Sequence, residues 1–152
     1  MKEALENTFD LRGRKLLVAE DDPIFALILK SIFKSWKNTI AVFAGNGKDA
    51  LDRLMLPDFD LVLMDLQMPV MDGYQLSRAI RSGQAGTAYC HIPIIALTAD
   101  LSAMAQSQCQ AAGIDDMVIK PTDSAGLFAV IAGLVSETSS IPKNSLRLQQ
   151  AK

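Results

Sequence analysis

Short apolar runs that alternate with helical patterns constrain the fold of this chain more than any other feature. Four of the five runs are continuous, as expected for strands covered on both faces of a parallel sheet, and the run at 39–43 is β-branched and aromatic enough to join them. The four continuous runs lie at 15–19, 61–64, 94–97 and 117–119. Strands that alternate with helices require right-handed crossovers, so the sequence predicts a doubly wound α/β domain with a parallel sheet.

Helical patterns follow each of these runs. Asp22 can cap the first helix, with Pro23 at its first position. Apolar residues at a spacing of four then define a broad face of this helix that we expect to be buried. That face comprises Ile24, Ile28, Ile32 and Trp36, with Phe25, Leu29 and Phe33 beside them. Further helices are predicted at 46–55, 73–82, 100–112 and 123–137.

The size and charge of the chain favour one domain that does not bind nucleic acid. The 152 residues carry a net charge of -2, and both ends are net positive, which leaves an acidic centre. An acidic centre without a basic face cannot neutralise nucleic-acid phosphates. We divide the chain into a lead-in at 1–14, one domain at 15–137, and a polar tail at 138–152 with room for a short helix at 145–151.

The sequence contains no feature that indicates export or membrane insertion. No apolar stretch approaches the ~18 residues that a membrane span requires, and the charged N-terminus does not resemble a signal peptide. Cys90 and Cys109 form no CxxC pair, and we expect both to be free thiols in a reducing cytoplasm. His91 is the only histidine, which excludes a histidine-rich metal site, and we expect it in a loop ahead of a strand.

Chemically active residues gather where the predicted strands end. Ligands of open α/β sheets bind beyond the carboxyl ends of the strands. These ends carry Glu20, Asp21 and Asp22 after the first strand, Asp65 after the third, Thr98 and Ala99 after the fourth, and Lys120 and Pro121 after the fifth. Each residue alone would be an ordinary cap, turn or surface residue, but capping does not explain the whole set.

This set of residues matches the chemistry of magnesium-assisted phosphoryl transfer. Clustered carboxylates repel one another unless a cation lies among them, and oxygen ligands with open positions suit Mg²⁺. A carboxylate can act as a nucleophile and form an aspartyl phosphate. A lysine and a hydroxyl donor beside the metal would stabilise the charge on the phosphoryl oxygens.

Four segments of the chain resemble the receiver domains of two-component response regulators. They are 17–23 (Leu-Val-Ala-Glu-Asp-Asp-Pro), 60–73 (which includes Met-Asp-Leu-Gln-Met-Pro), 93–99 (Pro-Ile-Ile-Ala-Leu-Thr-Ala) and 113–121 (Gly-Ile-Asp-Asp-Met-Val-Ile-Lys-Pro). The resemblance covers about residues 15–136, and the four motifs occur in the right order. It implies a flavodoxin-like receiver fold with five strands in the order 2-1-3-4-5.

The resemblance implies that Asp65 is the phosphoacceptor and that it takes a phosphoryl group from a phosphohistidine. Glu20 and Asp21 are the implied acidic pair for Mg²⁺, with Asp21 as a direct ligand. Asp65 and the backbone carbonyl of Gln67 complete the implied protein ligands. Asp22 lies one place past the pair, where its role as a helix cap suffices. A receiver consumes itself as substrate, so we interpret the chain as a signalling module rather than a turnover enzyme.

The other implied site residues surround the phosphoryl group. Lys120 pairs with its oxygens, Thr98 binds one of them after phosphorylation, and Ala99 leaves room for the group. The bond between Lys120 and Pro121 is expected to be cis. Met117 stands where the family usually carries Tyr or Phe, so the switch that couples this position to Thr98 is expected to be weaker or differently routed. Phosphorylation is predicted to shift the face formed by the fourth helix, fifth strand and fifth helix.

Other readings of the strand ends fit less well. A haloacid-dehalogenase-type phosphatase would require a second Asp at the position of Gln67, and a flavodoxin-type cofactor binder would require a Ser/Thr/Gly-rich loop in place of residues 20–22. No P-loop or GxGxxG motif is present. A degenerate receiver that acts only as a protein-binding module stays open, although the complete set with Asp65, Thr98 and Lys120 argues against it.

The expected partners are a sensor histidine kinase, a histidine phosphotransfer domain, or both, with the chain a monomer or weak dimer. The lead-in and the Glu-Asp-Asp-Pro segment are similar to receivers at the ends of hybrid sensor kinases. We favour this context over a free-standing regulator. We expect no DNA-binding output domain after residue 137.

Overall fold

Five parallel strands form one sheet at the centre of the protein. The computed structural model describes residues 9–137. The strands are β1 Lys15–Ala19, β2 Ile40–Ala44, β3 Leu61–Asp65, β4 Ile94–Thr98 and β5 Asp116–Ile119. They pair in the order β2-β1-β3-β4-β5. The predicted doubly wound α/β fold and its strand order are therefore confirmed.

Five helices cover the two faces of the sheet. They are α1 Pro23–Ser35, α2 Gly47–Arg53, α3 Gly73–Arg81, α4 Ala103–Ala111 and α5 Ser124–Glu137, with a 3-10 turn at Thr87–Tyr89. Apolar residues of α1 and α5 pack on one face, and those of α2, α3 and α4 pack on the other. Every residue of β3 and β4 is buried between these layers, which explains their continuous apolar sequences. Among the described helices, none is long and apolar enough to cross a membrane.

The buried face of α1 is narrower than the predicted one. Phe25, Leu29 and Phe33 are the buried residues of this helix, whereas Ile24 is 71% exposed and Ile28 is 44% exposed. Two neighbouring apolar stripes of α1 both have helical spacing. Spacing alone therefore does not determine which of the two faces the sheet.

Side-chain caps set the helix ends and correct several predicted boundaries. The fourth helix begins at Ala103 and not at residue 100, because the Asp100 carboxylate accepts the backbone N–H of Ser102 at 2.8 Å and Ser102 then caps α4. The second helix ends at Arg53, two residues earlier than predicted, and β2 begins one residue later. Asp22 caps α1 as predicted.

Part of the predicted lead-in packs against the domain. The Phe9 ring lies 5.0 Å from the ring of Phe128 and 6.4 Å from that of Trp36, measured between centroids. Leu11 is fully buried in the same cluster. The indole Nε1 of Trp36 donates to Ser124 Oγ at 2.7 Å, which joins the end of α1 to the start of α5. The remaining predicted end segments lie outside the described residues, namely 1–8, 138–152 and the short helix at 145–151.

A partly buried ion pair joins several segments at the amino ends of β4 and β5. Arg81 at the end of α3 donates to Asp115 Oδ2 at 2.9 Å, and also to the backbone carbonyls of Ile92 and Gly113. Asp115 is fully buried and accepts the backbone N–H of Ile94 at 2.9 Å. The pair therefore holds α3, the start of β4 and the loop before β5 in one arrangement.

We expect Asp115→Ala to lower the free energy of unfolding by about 2–4 kcal/mol, because the guanidinium and a buried N–H lose their acceptor. Urea denaturation followed by circular dichroism measures this loss. The control is Asp52→Ala, because the ion pair of Asp52 with Lys48 is exposed and its removal changes stability by less than about 0.5 kcal/mol. Equal losses in the two variants would contradict the structural role of Asp115.

Candidate functional site

Three carboxylates converge at the carboxyl edge of the sheet. Glu20 and Asp21 follow β1 and Asp65 ends β3, and these two strands are parallel neighbours. One carboxylate oxygen of each residue lies within 4.8 Å of the others. Glu20 is 4% exposed and Asp65 is 8% exposed, whereas Asp21 is open to solvent. An all-oxygen set with one open side fits Mg²⁺, which prefers oxygen ligands and retains part of its water.

Lys120 brings a positive charge into this cluster. Its Nζ donates to Glu20 Oε1 and to Asp65 Oδ2, each at 3.1 Å. The same Nζ lies 4.6 Å from the centroid of the Phe25 ring. Burial alone would lower the pKa of Lys120, but the hydrogen bonds to the two carboxylates outweigh it, and the pKa is raised. The ammonium therefore stays charged and offsets part of the repulsion between the carboxylates.

Glu20 has the most perturbed carboxyl group of the site. Burial is the main cause that raises the pKa of Glu20 to about 7, because the charged form loses its solvation. The backbone N–H of Asp22, which donates to Glu20 Oε2 at 3.0 Å, and the ammonium of Lys120 lower the pKa, whereas Asp65 raises it. Burial thus outweighs the hydrogen bonds that favour the charged form of Glu20.

Thr98, Ala99 and Gln67 line an open cavity beside Asp65. The cavity has a volume of about 290 Å³, against about 30 Å³ for a water molecule in the liquid, so a phosphoryl group with surrounding solvent fits inside it. Asp65 Oδ1 accepts the backbone N–H of Gln67 at 3.1 Å. The Thr98 hydroxyl accepts the backbone N–H of Asp100 at 3.0 Å and donates to its carbonyl at 3.2 Å.

The other residues singled out from the sequence do not line the cavity. Met117 lies in β5 and packs, half-buried, against the core beneath α2, α3 and α4. The peptide bond before Pro121 is cis. His91 is exposed in the turn before β4. Cys90 and Cys109 are free thiols, and burial raises the pKa of Cys109 to about 11.

Phe25 is the site neighbour that the sequence pattern misses. Its helical spacing after Asp22 predicts a core residue and carries no signal of a contact with Lys120. The contact arises from the fold, because the start of α1 and the end of β5 meet at the same edge of the sheet. Only the three-dimensional arrangement reveals it.

Gly73 allows α3 to approach the end of β3 closely. A Cβ atom at this position would lie 2.6 Å from the carbonyl oxygen of Asp65 and 2.9 Å from the Cα of Leu66. The Gly73 N–H also donates to the Leu66 carbonyl at 3.0 Å. Asp72 and Gln75 cap the helix reciprocally at this end. The loop that follows Asp65 is therefore fixed by the close approach of two backbones.

The family model of the response regulator receiver domain matches residues 16–132, and the chain belongs to this family. The probable histidine kinase 4 of Oryza sativa subsp. japonica is 33% identical over an alignment of 139 positions, and the match covers 80% of this chain and 14% of that protein. The sensor histidine kinase GacS of Pseudomonas protegens is 32% identical over 126 residues, which are 83% of this chain and 14% of that protein. The chain thus spans a small part of the length of these relatives.

Solved structures of receiver domains share the fold. The receiver domain of sensor histidine kinase PA1611 from Pseudomonas aeruginosa is 28% identical with a TM-score of 0.74, covers 82% of this chain and 98% of that chain, and has a magnesium ion in its active site cleft. A second structure is the complex of the Saccharomyces cerevisiae phosphotransfer protein Ypd1 with the receiver domain of Ssk1. A chain of it is 26% identical with a TM-score of 0.75, and the match covers 88% of this chain and 96% of that chain.

We expect Gly73→Ala to lower the free energy of unfolding by about 1–3 kcal/mol, because the added methyl group forces α3 away from the end of β3. Urea denaturation followed by circular dichroism measures the change. Gly45→Ala is the matched control, because a Cβ at Gly45 meets no atom within 4 Å. A stability of Gly73→Ala equal to that of Gly45→Ala would show that the close approach is unimportant.

Proposed function

We propose that Asp65 accepts a phosphoryl group from a phosphohistidine of a partner protein and that the chain signals by the conformational change that follows. The observation that carries the proposal is the Lys120 ammonium, 3.1 Å from oxygens of both Asp65 and Glu20 at the edge of an open cavity. A carboxylate beside an ammonium, a hydroxyl and an oxygen-rich cation site has the parts that phosphoryl transfer requires. Membership of the receiver family supports the same role.

The transfer to Asp65 is a substitution at phosphorus. A carboxylate oxygen of Asp65 attacks the phosphorus, so that an O–P bond forms while the N–P bond of the phosphohistidine breaks and its electron pair returns to the imidazole nitrogen. The products are an acyl phosphate on Asp65 and an unphosphorylated histidine. In hydrolysis, water attacks the phosphorus, the bond to Asp65 breaks, and inorganic phosphate leaves the regenerated carboxylate.

Glu20, Asp21 and Asp65 are the residues that would hold Mg²⁺, with the backbone carbonyl of Gln67 as a further ligand. Bound there, Mg²⁺ supplies positive charge that neutralises the phosphoryl oxygens. The magnesium ion in the receiver domain of PA1611 supports this assignment. The proximity of the three carboxylates in this chain supports it independently, because such a cluster repels itself without a cation.

Lys120, Thr98 and Ala99 act on the phosphoryl group itself. The ammonium of Lys120, which now binds the Asp65 carboxylate, pairs with the phosphoryl oxygens after transfer. The Thr98 hydroxyl turns from the backbone of Asp100 to a phosphoryl oxygen. The methyl side chain of Ala99 leaves the space that a larger residue would fill.

The partners in this proposal are proteins that carry a phosphohistidine. The relatives named above are histidine kinases, and the match covers 14% of the length of each. A match to a small part of such long proteins supports an origin in a hybrid kinase rather than a free-standing regulator. The complex of Ypd1 with the Ssk1 receiver supports a histidine phosphotransfer protein as the other class of partner. We place this exchange in the cytoplasm, with the chain a monomer or weak dimer that makes no direct contact with nucleic acid.

Incubation of the 152-residue chain with acetyl phosphate and Mg²⁺ is expected to add one phosphoryl group, because the small donor replaces the phosphohistidine. Intact-protein mass spectrometry measures the gain. Asp65→Asn should abolish it by removing the nucleophile, and a chelator of divalent cations should suppress it in the wild-type chain.

Asp52→Asn is the control for this experiment, because it makes the same chemical change at an exposed carboxylate of α2. It should gain the phosphoryl group like the wild-type chain. No gain in the wild-type chain would favour a degenerate receiver that only binds other proteins. A gain that persists in Asp65→Asn would assign the acceptor to another residue.

The hydrogen bonds of Thr98 suggest how the signal leaves the site. Its hydroxyl accepts the backbone N–H of Asp100 and donates to the carbonyl of the same residue. The Asp100 carboxylate in turn accepts the N–H of Ser102, which caps α4. Rotation of Thr98 toward a phosphoryl oxygen would release this turn and loosen the start of α4. Met117 in β5 can respond by a change of rotamer, without the ring that the family usually carries there.

Beryllium fluoride with Mg²⁺, as a phosphoryl mimic, is expected to change amide hydrogen exchange in α4, β5 and α5 but not in α2. Hydrogen-exchange mass spectrometry measures this difference. Thr98→Ala should remove the change in α4, whereas Thr39→Ala, at a hydroxyl near the start of β2 that is bonded to the carbonyl of Lys37, should retain it. Unchanged exchange in α4, β5 and α5 would refute this route.

A further inference from the structure

The ring of Phe25 lies directly beside the ammonium of Lys120. The distance from Nζ to the ring centroid is 4.6 Å, within the ~6 Å over which an aromatic face attracts a cation. Phe25 is buried in the first turns of α1, where the surrounding core holds its ring in place. Lys120 thus has three neighbours that favour its positive charge, namely two carboxylates and one ring.

The ring differs from the two carboxylates in a way that matters for the proposed reaction. Glu20 and Asp65 hold the ammonium with oxygens that belong to the candidate cation site, and the negative charge of Asp65 moves to the phosphoryl oxygens when it becomes an acyl phosphate. The attraction of the Phe25 ring uses none of these oxygens. It therefore does not depend on whether the carboxylates bind a metal or Asp65 is phosphorylated.

We infer that Phe25 is a positioning residue, whose ring holds the Lys120 ammonium where negative charge develops on the transferred phosphoryl oxygens. This inference rests on the proposed role of Asp65 as acceptor. A lysine side chain has a flexible four-carbon stem, so an ammonium without the ring would occupy more positions. A charge held in place before the reaction stabilises the transition state more than one that must first be ordered.

Phe33 provides a matched control within the same helix. It is also buried, belongs to the same core cluster as Phe25, and packs its ring 5.1 Å from that of Trp36. The cation–ring contacts found within residues 9–137 involve Phe25, Phe43 and Phe59, and not Phe33. A substitution that weakens the negative electrostatic potential of the ring face should therefore slow the reaction when it is made at Phe25 and not when it is made at Phe33.

The test replaces Phe25 or Phe33 site-specifically by mono-, di- and trifluorinated phenylalanine, which weakens the negative ring face with little change of shape. The rate of phosphorylation by acetyl phosphate with Mg²⁺ is measured across donor concentrations. At Phe25 the maximal rate should fall stepwise, by about two- to thirty-fold in total, with an unchanged half-saturating concentration. A flat series at Phe25, or equal losses at both positions, overturns the inference.

A second measurement examines the ring contact without any phosphoryl donor. The ε-methylene protons of Lys120 should show a ring-current shift in nuclear magnetic resonance spectra, which Phe25→Leu removes and Phe33→Leu retains. A wild-type chain that takes no phosphoryl group overturns the proposed function and this inference with it. An unmoved Lys120 signal in Phe25→Leu overturns the inference alone.

Discussion

The carboxyl edge of the sheet depends on one electrostatic constraint, in which two nearly buried carboxylates share a single ammonium. Glu20 and Asp65 both bind Lys120 Nζ at 3.1 Å, and a carboxylate removed from water is costly unless it is paired. One positive charge does not fully compensate two negative ones, and burial in addition raises the pKa of Glu20 to about 7. In the proposed reaction, a divalent cation would complete the balance, and an incoming phosphoryl group would then meet positive charge instead of repulsion.

The polar groups at the two edges of the sheet differ in how completely they are paired. At the amino ends of the strands, Arg81 and Asp115 bind each other and the neighbouring backbone, and this arrangement stabilises the fold. At the carboxyl ends, Asp21 stays open to solvent and Thr98 bonds only to the local backbone. The sheet thus separates a closed structural ion pair from a site that is open to solvent. Proteins commonly place such locally unbalanced chemistry where function requires it.

Much of the fold and the outline of the site follow from the sequence, because parallel strands bring their carboxyl ends to the same edge. This rule places Glu20, Asp65, Thr98 and Lys120 together without any measured contact. Strand positions were predictable within one residue, since strands buried on both faces are continuous apolar runs. Helix ends were less predictable, because the turn at Asp100 replaces the first helical turn through hydrogen bonds that no periodicity encodes.

The features that the sequence could not predict depend on contacts between distant segments. Ile24 and Phe25 are both apolar and adjacent, and only the orientation of α1 on the sheet exposes the first and buries the second. The same orientation places the Phe25 ring beside Lys120. Packing of Phe9 onto Phe128 likewise extends the domain beyond the start of the first apolar run. Such contacts require the assembled layers, because helical spacing describes one element at a time.

The hydrogen bond from Trp36 to Ser124 has an experimental consequence of its own. The chain contains one tryptophan, and its indole bonds to the first residue of α5, which follows Lys120 closely in the chain. A displacement of α5 that begins at Lys120 would therefore alter the environment of this indole and its emission. The protein thus carries one intrinsic fluorophore, and a hydrogen bond joins it to the helix that follows Lys120.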